Sequence, residues 1–198
     1  MKNLKHYLKI GLFLFVIQGI AQNEKVTIPD FYLENAIRNH FDKPTGEITK
    51  TAMESLTRLV LVNRGISNLK GLEHAKNLTY LRLDNNKRSD LTPLTNLTKL
   101  ENLNLNGNKI HSIVPLSKKN NLRWVILENN EVDNLWPLYN LESLTDVMLF
   151  NNPLQASSDL ANQNDIVVEK IKSNGSNIVF DAVEINSIYQ LEPSRKIK

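Results

Sequence analysis

Aliphatic residues recur in this chain at a fixed interval of 22 positions, and no other feature narrows its fold so far. One column reads Leu56, Leu78, Leu100, Leu122, Leu144; a second Leu59, Leu81, Leu103, Val125, Val147; a third Leu61, Leu83, Leu105, Leu127, Leu149. An asparagine column follows at Asn86, Asn108, Asn130 and Asn152, with Arg64 in the first copy. Next come Ile66, Arg88, Ile110, Val132 and Leu154, then Leu69, Leu91, Ile113 and Leu135. The last column, Leu72, Leu94, Leu116 and Leu138, is preceded by Pro93, Pro115 and Pro137 in its later copies. Within "LENLNLNGNKI", Leu100 to Ile110, the spacing suits neither a helix of period 3.6 nor a strand of period 2 throughout.

A coil that strings several conformations together explains the order. The segment around Leu103 and Leu105 reads as a short strand, with both leucines inward and residues 102, 104 and 106 outward. The chain must then turn sharply. The carboxamide of Asn108 can satisfy main-chain groups that the turn would otherwise bury unpaired. Ile110, Ile113 and Leu116 lead the return path over the core, and Pro115 suits an extended or 3₁₀ segment. One coil cannot bury its own apolar face, whereas stacked coils bury a continuous column. The expected fold is an α/β solenoid: a short repeat array with a parallel concave sheet, a helical N-terminal cap and a helix–strand C-terminal cap.

The columns resemble the leucine-rich repeat in its 22-residue bacterial form, as in the internalin family, over about residues 26–154. Four full repeats start at Ser55, Asn77, Lys99 and Asn121, and a fifth from Ser143 ends at "NNPL". The chain divides into a signal peptide at 1–21, a cap at 22–54, repeats at 55–154, and a C-terminal cap and tail at 155–198. In the cap, Asp30 reads as an N-cap, with Leu33, Ala36, Ile37 and Phe41 on one helical face. Thr49 caps a short second helix. Beyond the repeats, a helix is expected over about Asn164–Ser173, closed by Asn174-Gly175, with a last strand in "NIVF", Asn177 to Phe180. The resemblance implies recognition of proteins through a concave face that carries aromatic side chains.

The first 21 residues follow another logic. Lys2, Lys5 and Lys9 precede an apolar run, Ile10 to Ile17, and small residues at Gly19 and Ala21. This is the layout of a secretory signal cleaved after Ala21. The run falls short of the roughly 20 apolar residues that cross a bilayer. Those three lysines equal the whole formal charge of +3. The mature chain is therefore expected to be neutral and monomeric, secreted or periplasmic, without a membrane span and without a footprint for nucleic acid.

Little in the sequence suggests catalysis. Cysteine is absent, which excludes disulfides and cysteine-based metal sites. His40, His74 and His111 fall in the cap and in different columns, and "DKPTGE" lacks the alternating ligands of a calcium loop. No phosphate loop or nucleophile motif is present. No cofactor and no enzyme activity are expected.

The outward face of the strands is the candidate site. Its columns are Arg58, Tyr80, Asn102, Trp124, Asp146; then Val60, Arg82, Asn104, Ile126, Met148; then Val62, Asp84, Asn106, Glu128, Phe150. Tyr80, Arg82, Trp124, Ile126, Met148 and Phe150 are expected to bind a partner as an exposed patch, the partner being a protein, a peptide or a glycan. Covering of some of them by "VEINSIYQL" is the alternative. A scaffold or regulatory subunit of an envelope assembly is the other functional reading. Arg88 and Lys119 break apolar columns, and both are expected to snorkel along the coil edge; an outward bulge of "NNKRSD" is the alternative. Trp136, before Pro137 on the return side, reads as a local packing residue or a second contact.

Overall fold

The computed structural model describes residues 24–87, 90–155 and 157–180. The expectations for the signal peptide, Arg88 and the C-terminal tail fall outside these residues. The repeat columns become a six-stranded parallel sheet in sequence order. Its strands are β1 (Arg58–Val60), β2 (Tyr80–Arg82), β3 (Asn102–Asn104), β4 (Trp124–Ile126), β5 (Asp146–Met148) and β6 (Asn177–Val179). Leu59, Leu81, Leu103, Val125, Val147 and Ile178 stand in register along it, all buried in one aliphatic cluster that runs from Val26 to Ile178. The fold is the expected solenoid. Return segments pass through 3₁₀ turns at Leu72–His74, Thr92–Leu94, Val114–Leu116 and Trp136–Leu138, with proline in the first positions of the last three. A first-turn proline loses no hydrogen bond there, because that N–H has no partner within the turn.

Asparagine stitches the coils together. The Asn108 amide donates to Leu83 O at 3.0 Å in the preceding coil and to Leu105 O at 2.9 Å in its own. Asn130 repeats this with Leu105 O and Leu127 O, and Asn152 with Leu127 O and Leu149 O. In three of the ladder asparagines the other end of the side chain reaches back one coil: Asn86, Asn130 and Asn152 accept from the N–H of Ile66, Ile110 and Val132. These three carboxamides thus serve both lone backbone donors and lone acceptors that a sheet cannot satisfy at a bend. Asn108→Ala is expected to cost about 1–3 kcal/mol in chemical denaturation; an unchanged midpoint would mean that water replaces the side chain.

The residue before each position of the asparagine column, Arg64 included, is left-handed: Asn63, Asn85, Gly107, Asn129 and Asn151 have φ between 53° and 66°. Asparagine tolerates this conformation, and glycine adopts it freely. At Gly107 a Cβ would also lie 2.3 Å from Asn85 Oδ1.

Helices stand at both ends of the array. In α1 (Phe31–His40), Leu33 and Ile37 enter the aliphatic cluster, and Ala36 and Phe41 pack against it. Asp30 caps α1 through Tyr32 N and Leu33 N, both at 3.0 Å. Its second oxygen accepts from Ser67 N, Ser67 Oγ and Asn68 N in the first coil. Burial pushes the Asp30 carboxyl up, but these hydrogen bonds outweigh it and hold the group below the ordinary aspartate value. In α2 (Lys50–Glu54), Thr49 caps as expected, accepting from Ala52 N.

Two expectations are corrected. The helix placed at Asn164–Ser173 begins earlier: α3 spans Ser158–Ser173, capped by Ser157. Its first turns are polar because they face solvent, and Asn164 is buried as a surrogate for the asparagine column. It accepts from Leu135 N and donates to Asp133 O and Leu154 O. Lys119 does not snorkel. It is 0% exposed, and its ammonium donates to Leu94 O at 2.6 Å and to Thr95 O and Leu97 O at 3.2 Å. Three carbonyls at the end of the preceding coil's 3₁₀ turn take the place of an acidic partner.

Candidate functional site

The register places the candidate residues side by side on the face of the sheet turned away from the core. Tyr80, Asn102, Trp124 and Asp146 share one row, and Arg82, Asn104, Ile126 and Met148 the next. Tyr80, Arg82, Trp124 and Phe150 are half-buried, each with accessible surface. Ile126 and Met148 are not exposed as expected: each is 3% accessible, although neither joins the aliphatic cluster. Parallel strands lie about 4.8 Å apart, so Asn104, Ile126, Met148 and Val179 stand shoulder to shoulder and close one another's flanks. Strict alternation predicts which face a residue occupies, not how crowded that face is. The accessible part of the patch is therefore aromatic and charged.

Both arginines of the face lie toward its N-terminal end, one of them already neutralised by an aspartate. The Arg58 guanidinium lies 3.6 Å from the Tyr80 ring centroid, a cation–π contact at the N-terminal end. Arg82 is paired with Asp84, Nε to Oδ1 at 3.2 Å. That bond raises the guanidinium pKa further above its ordinary value against the opposing effect of burial. Toward the other end the face carries Glu128 and Asp146. Glu128 is 6% exposed, its Oε1 has no hydrogen-bond partner, and burial pushes its carboxyl pKa up. The outward alternation contains Glu128, but nothing in the repeat distinguishes it from the half-buried Val62, Asn106 and Phe150 or the buried Asp84 of the same column.

Trp136, 51% exposed on the return side, stacks on Tyr139 with ring centroids 4.8 Å apart and planes 10° from parallel. A cleft of about 880 Å³ between the last coil and α3 is lined by Leu149, Leu154, Asp165, Val168, Glu169 and Phe180, among others. It has no periodic signature in the sequence, because it arises where the period stops. Among the described residues, no group of His, Asp and Glu could hold a metal ion, and no helix is long and apolar enough to cross a membrane.

No protein-family model and no curated protein matches the chain. Solved structures do. An internalin (InlF) from Listeria monocytogenes is 27% identical over 63% of this chain and 44% of its own length, with a TM-score of 0.56. Internalin C2 from the same organism is 25% identical over 63% and 75%, with a TM-score of 0.39. The structure of the CBM51-2 and INT domains of Clostridium perfringens ZmpB is 45% identical over 46% and 19%, with a TM-score of 0.41. The chain thus spans less than half the length of InlF, the one of the three whose backbone superposes well enough to compare. The repeat period, the parallel sheet, the asparagine ladder and the likeness to InlF agree: the chain is a leucine-rich repeat protein of the internalin-like, 22-residue class.

Proposed function

We propose that this protein is an exported, non-catalytic recognition module that grips a partner protein across the outward face of its sheet, centred on Trp124 and Phe150. One observation carries the reading: the sheet holds accessible aromatic and charged side chains in fixed register, on the side opposite the core. Rigid aromatic anchors flanked by charge are what protein interfaces use. The likeness to an internalin supports an interaction module, and the layout of residues 1–21 supports export to the periplasm or the medium. Six strands at about 4.8 Å give a face about 24 Å long. A standard interface takes about 800 Å² from each partner, so the partner is a small domain or an extended peptide that uses most of this face.

A scaffold role is the second reading, favoured by Trp136 and Val114, which expose apolar surface on the return side. The two are separated by capture experiments with residues 22–198 on culture medium and envelope extract. Trp124→Ala and Phe150→Ala are each expected to weaken capture of a partner at least tenfold, on the order of the 1.4 kcal/mol or more that a hot-spot residue supplies, with circular dichroism unchanged. Capture lost with Trp136→Ala instead would assign the function to the return side.

A further inference from the structure

We propose that the partner presents a basic side chain, an arginine or lysine, to the Glu128 carboxylate against the ring of Phe150. This inference rests on the sheet-face reading above and adds the chemistry of the partner. Glu128 and Phe150 occupy the same column in adjacent coils, following β4 and β5. The backbone confirms the pairing, since Asn129 N donates to Phe150 O and Gly107 N to Glu128 O. A carboxylate and an aromatic face one rung apart form a two-part receptor for a cation: opposite charge on one side, ring quadrupole on the other.

The receptor is vacant by its own hydrogen-bond count. A buried carboxyl oxygen without a donor is costly, and folded proteins rarely keep one unless something completes it. Among the described residues, none donates to Glu128 Oε1. The cations of the same face are engaged elsewhere, Arg82 with Asp84 and Arg58 over Tyr80. On the next rung, Asn106 uses its carboxamide oxygen to accept from Asn129 Nδ2 at 2.9 Å. Phe150 and Asn106 are both half-buried, so the column has accessible surface on either side of the carboxylate. In this proposal the carboxylate turns about its side-chain torsions toward that surface when the cation arrives.

Guanidinium fits better than ammonium. It is planar, stacks on a ring face and offers two parallel donors to one carboxylate. The position of Glu128 toward the acidic end of the face, with the arginines near the other, also sets a direction. A partner strand with a basic residue beside Glu128 and an acidic one beside Arg58 matches both ends; the reverse orientation opposes like charges.

The test uses residues 22–198 carrying Trp136→Phe, so that Trp124 reports alone by fluorescence. The probes are extended peptides identical except for a central arginine, lysine, citrulline or glutamate. The arginine peptide is expected to bind at least tenfold more tightly than the citrulline peptide, which has the same shape without the charge. Glu128→Gln is expected to remove that preference while leaving the circular dichroism spectrum unchanged. Arginine binding should also weaken as pH falls through the raised Glu128 pKa, because the protonated carboxyl no longer attracts the cation. No preference for arginine over citrulline, or an equal preference in Glu128→Gln, overturns the proposal. The natural partner separates this failure from a failure of the sheet-face reading. Capture that is lost with Trp124→Ala but indifferent to Glu128→Gln removes the basic-residue assignment alone. Capture indifferent to Trp124→Ala, Phe150→Ala and Glu128→Gln removes both.

Discussion

Leu103→Ala is expected to lower the free energy of unfolding by about 2–5 kcal/mol, the range found when a fully buried leucine is truncated to alanine. Leu103 has no accessible surface and lies in register between Leu81 and Val125. Removing its isobutyl group therefore opens a void that touches two coil interfaces at once. Neither neighbour can collapse into the void without leaving its own rung, because both are tied to the ladder by backbone hydrogen bonds. In a stacked array each coil is stable only through its neighbours, so a defect in the third coil weakens the whole stack rather than fraying one end. Val60→Ala is the control. Val60 lies in the same sheet on the exposed edge strand, 44% accessible, and its truncation should fall within the half kilocalorie, roughly, that is usual for surface positions. Equal midpoints for Leu103→Ala and Val60→Ala in urea would show that the leucine column is not the source of stability.

The leucine and asparagine columns were legible because stacking makes every coil solve the same packing problem with the same residue type. Terminal elements solve it differently, and there the reading weakens. The first half of α3 is polar, and its one buried polar side chain, Asn164, looks like any surface asparagine until Leu135 N and Asp133 O are seen beside it. The left-handed turn column was hidden for another reason: Asn85, Asn129 and Asn151 adjoin the ladder asparagines, and the paired letters do not say that one serves φ and the other hydrogen bonding. Alternation placed Ile126 and Met148 on the correct face but carried no information about crowding across strands. Glu128 could not be singled out at all, since its lack of a partner is a property of three-dimensional neighbours and not of any spacing.

Lys119→Leu is expected to stabilise the protein at neutral pH, by up to about 3 kcal/mol, and to erase a rise in stability expected of the native chain above pH 8. The same column carries Leu97 and Leu141 in neighbouring coils, so leucine fits the coil geometry. Two effects compete at Lys119. Its ammonium gains three carbonyl acceptors, but it loses its hydration entirely, and burial pushes its pKa down from 10.5 to about 8. Lost hydration is the whole cause of that lowered pKa and is taken as the larger effect: the folded state favours the neutral amine, and the charged form carries a cost. Two of the three carbonyls keep a donor without the lysine, since Leu94 O also accepts from Leu97 N and Leu97 O from Leu100 N. Below pH 8 the lysine is protonated folded and unfolded, the penalty is complete, and stability is flat with respect to this group. Between pH 8 and 10.5 the unfolded chain holds a proton that the folded chain has released, so stability rises with pH and the penalty disappears. At 1.36 kcal/mol per pKa unit the rise amounts to about 3 kcal/mol. The difference between native and Lys119→Leu denaturation curves from pH 7 to pH 10.5 isolates this group. A constant difference across the interval, or a variant less stable than the native chain at pH 7, would mean that the three carbonyls hold the ammonium more firmly than water does.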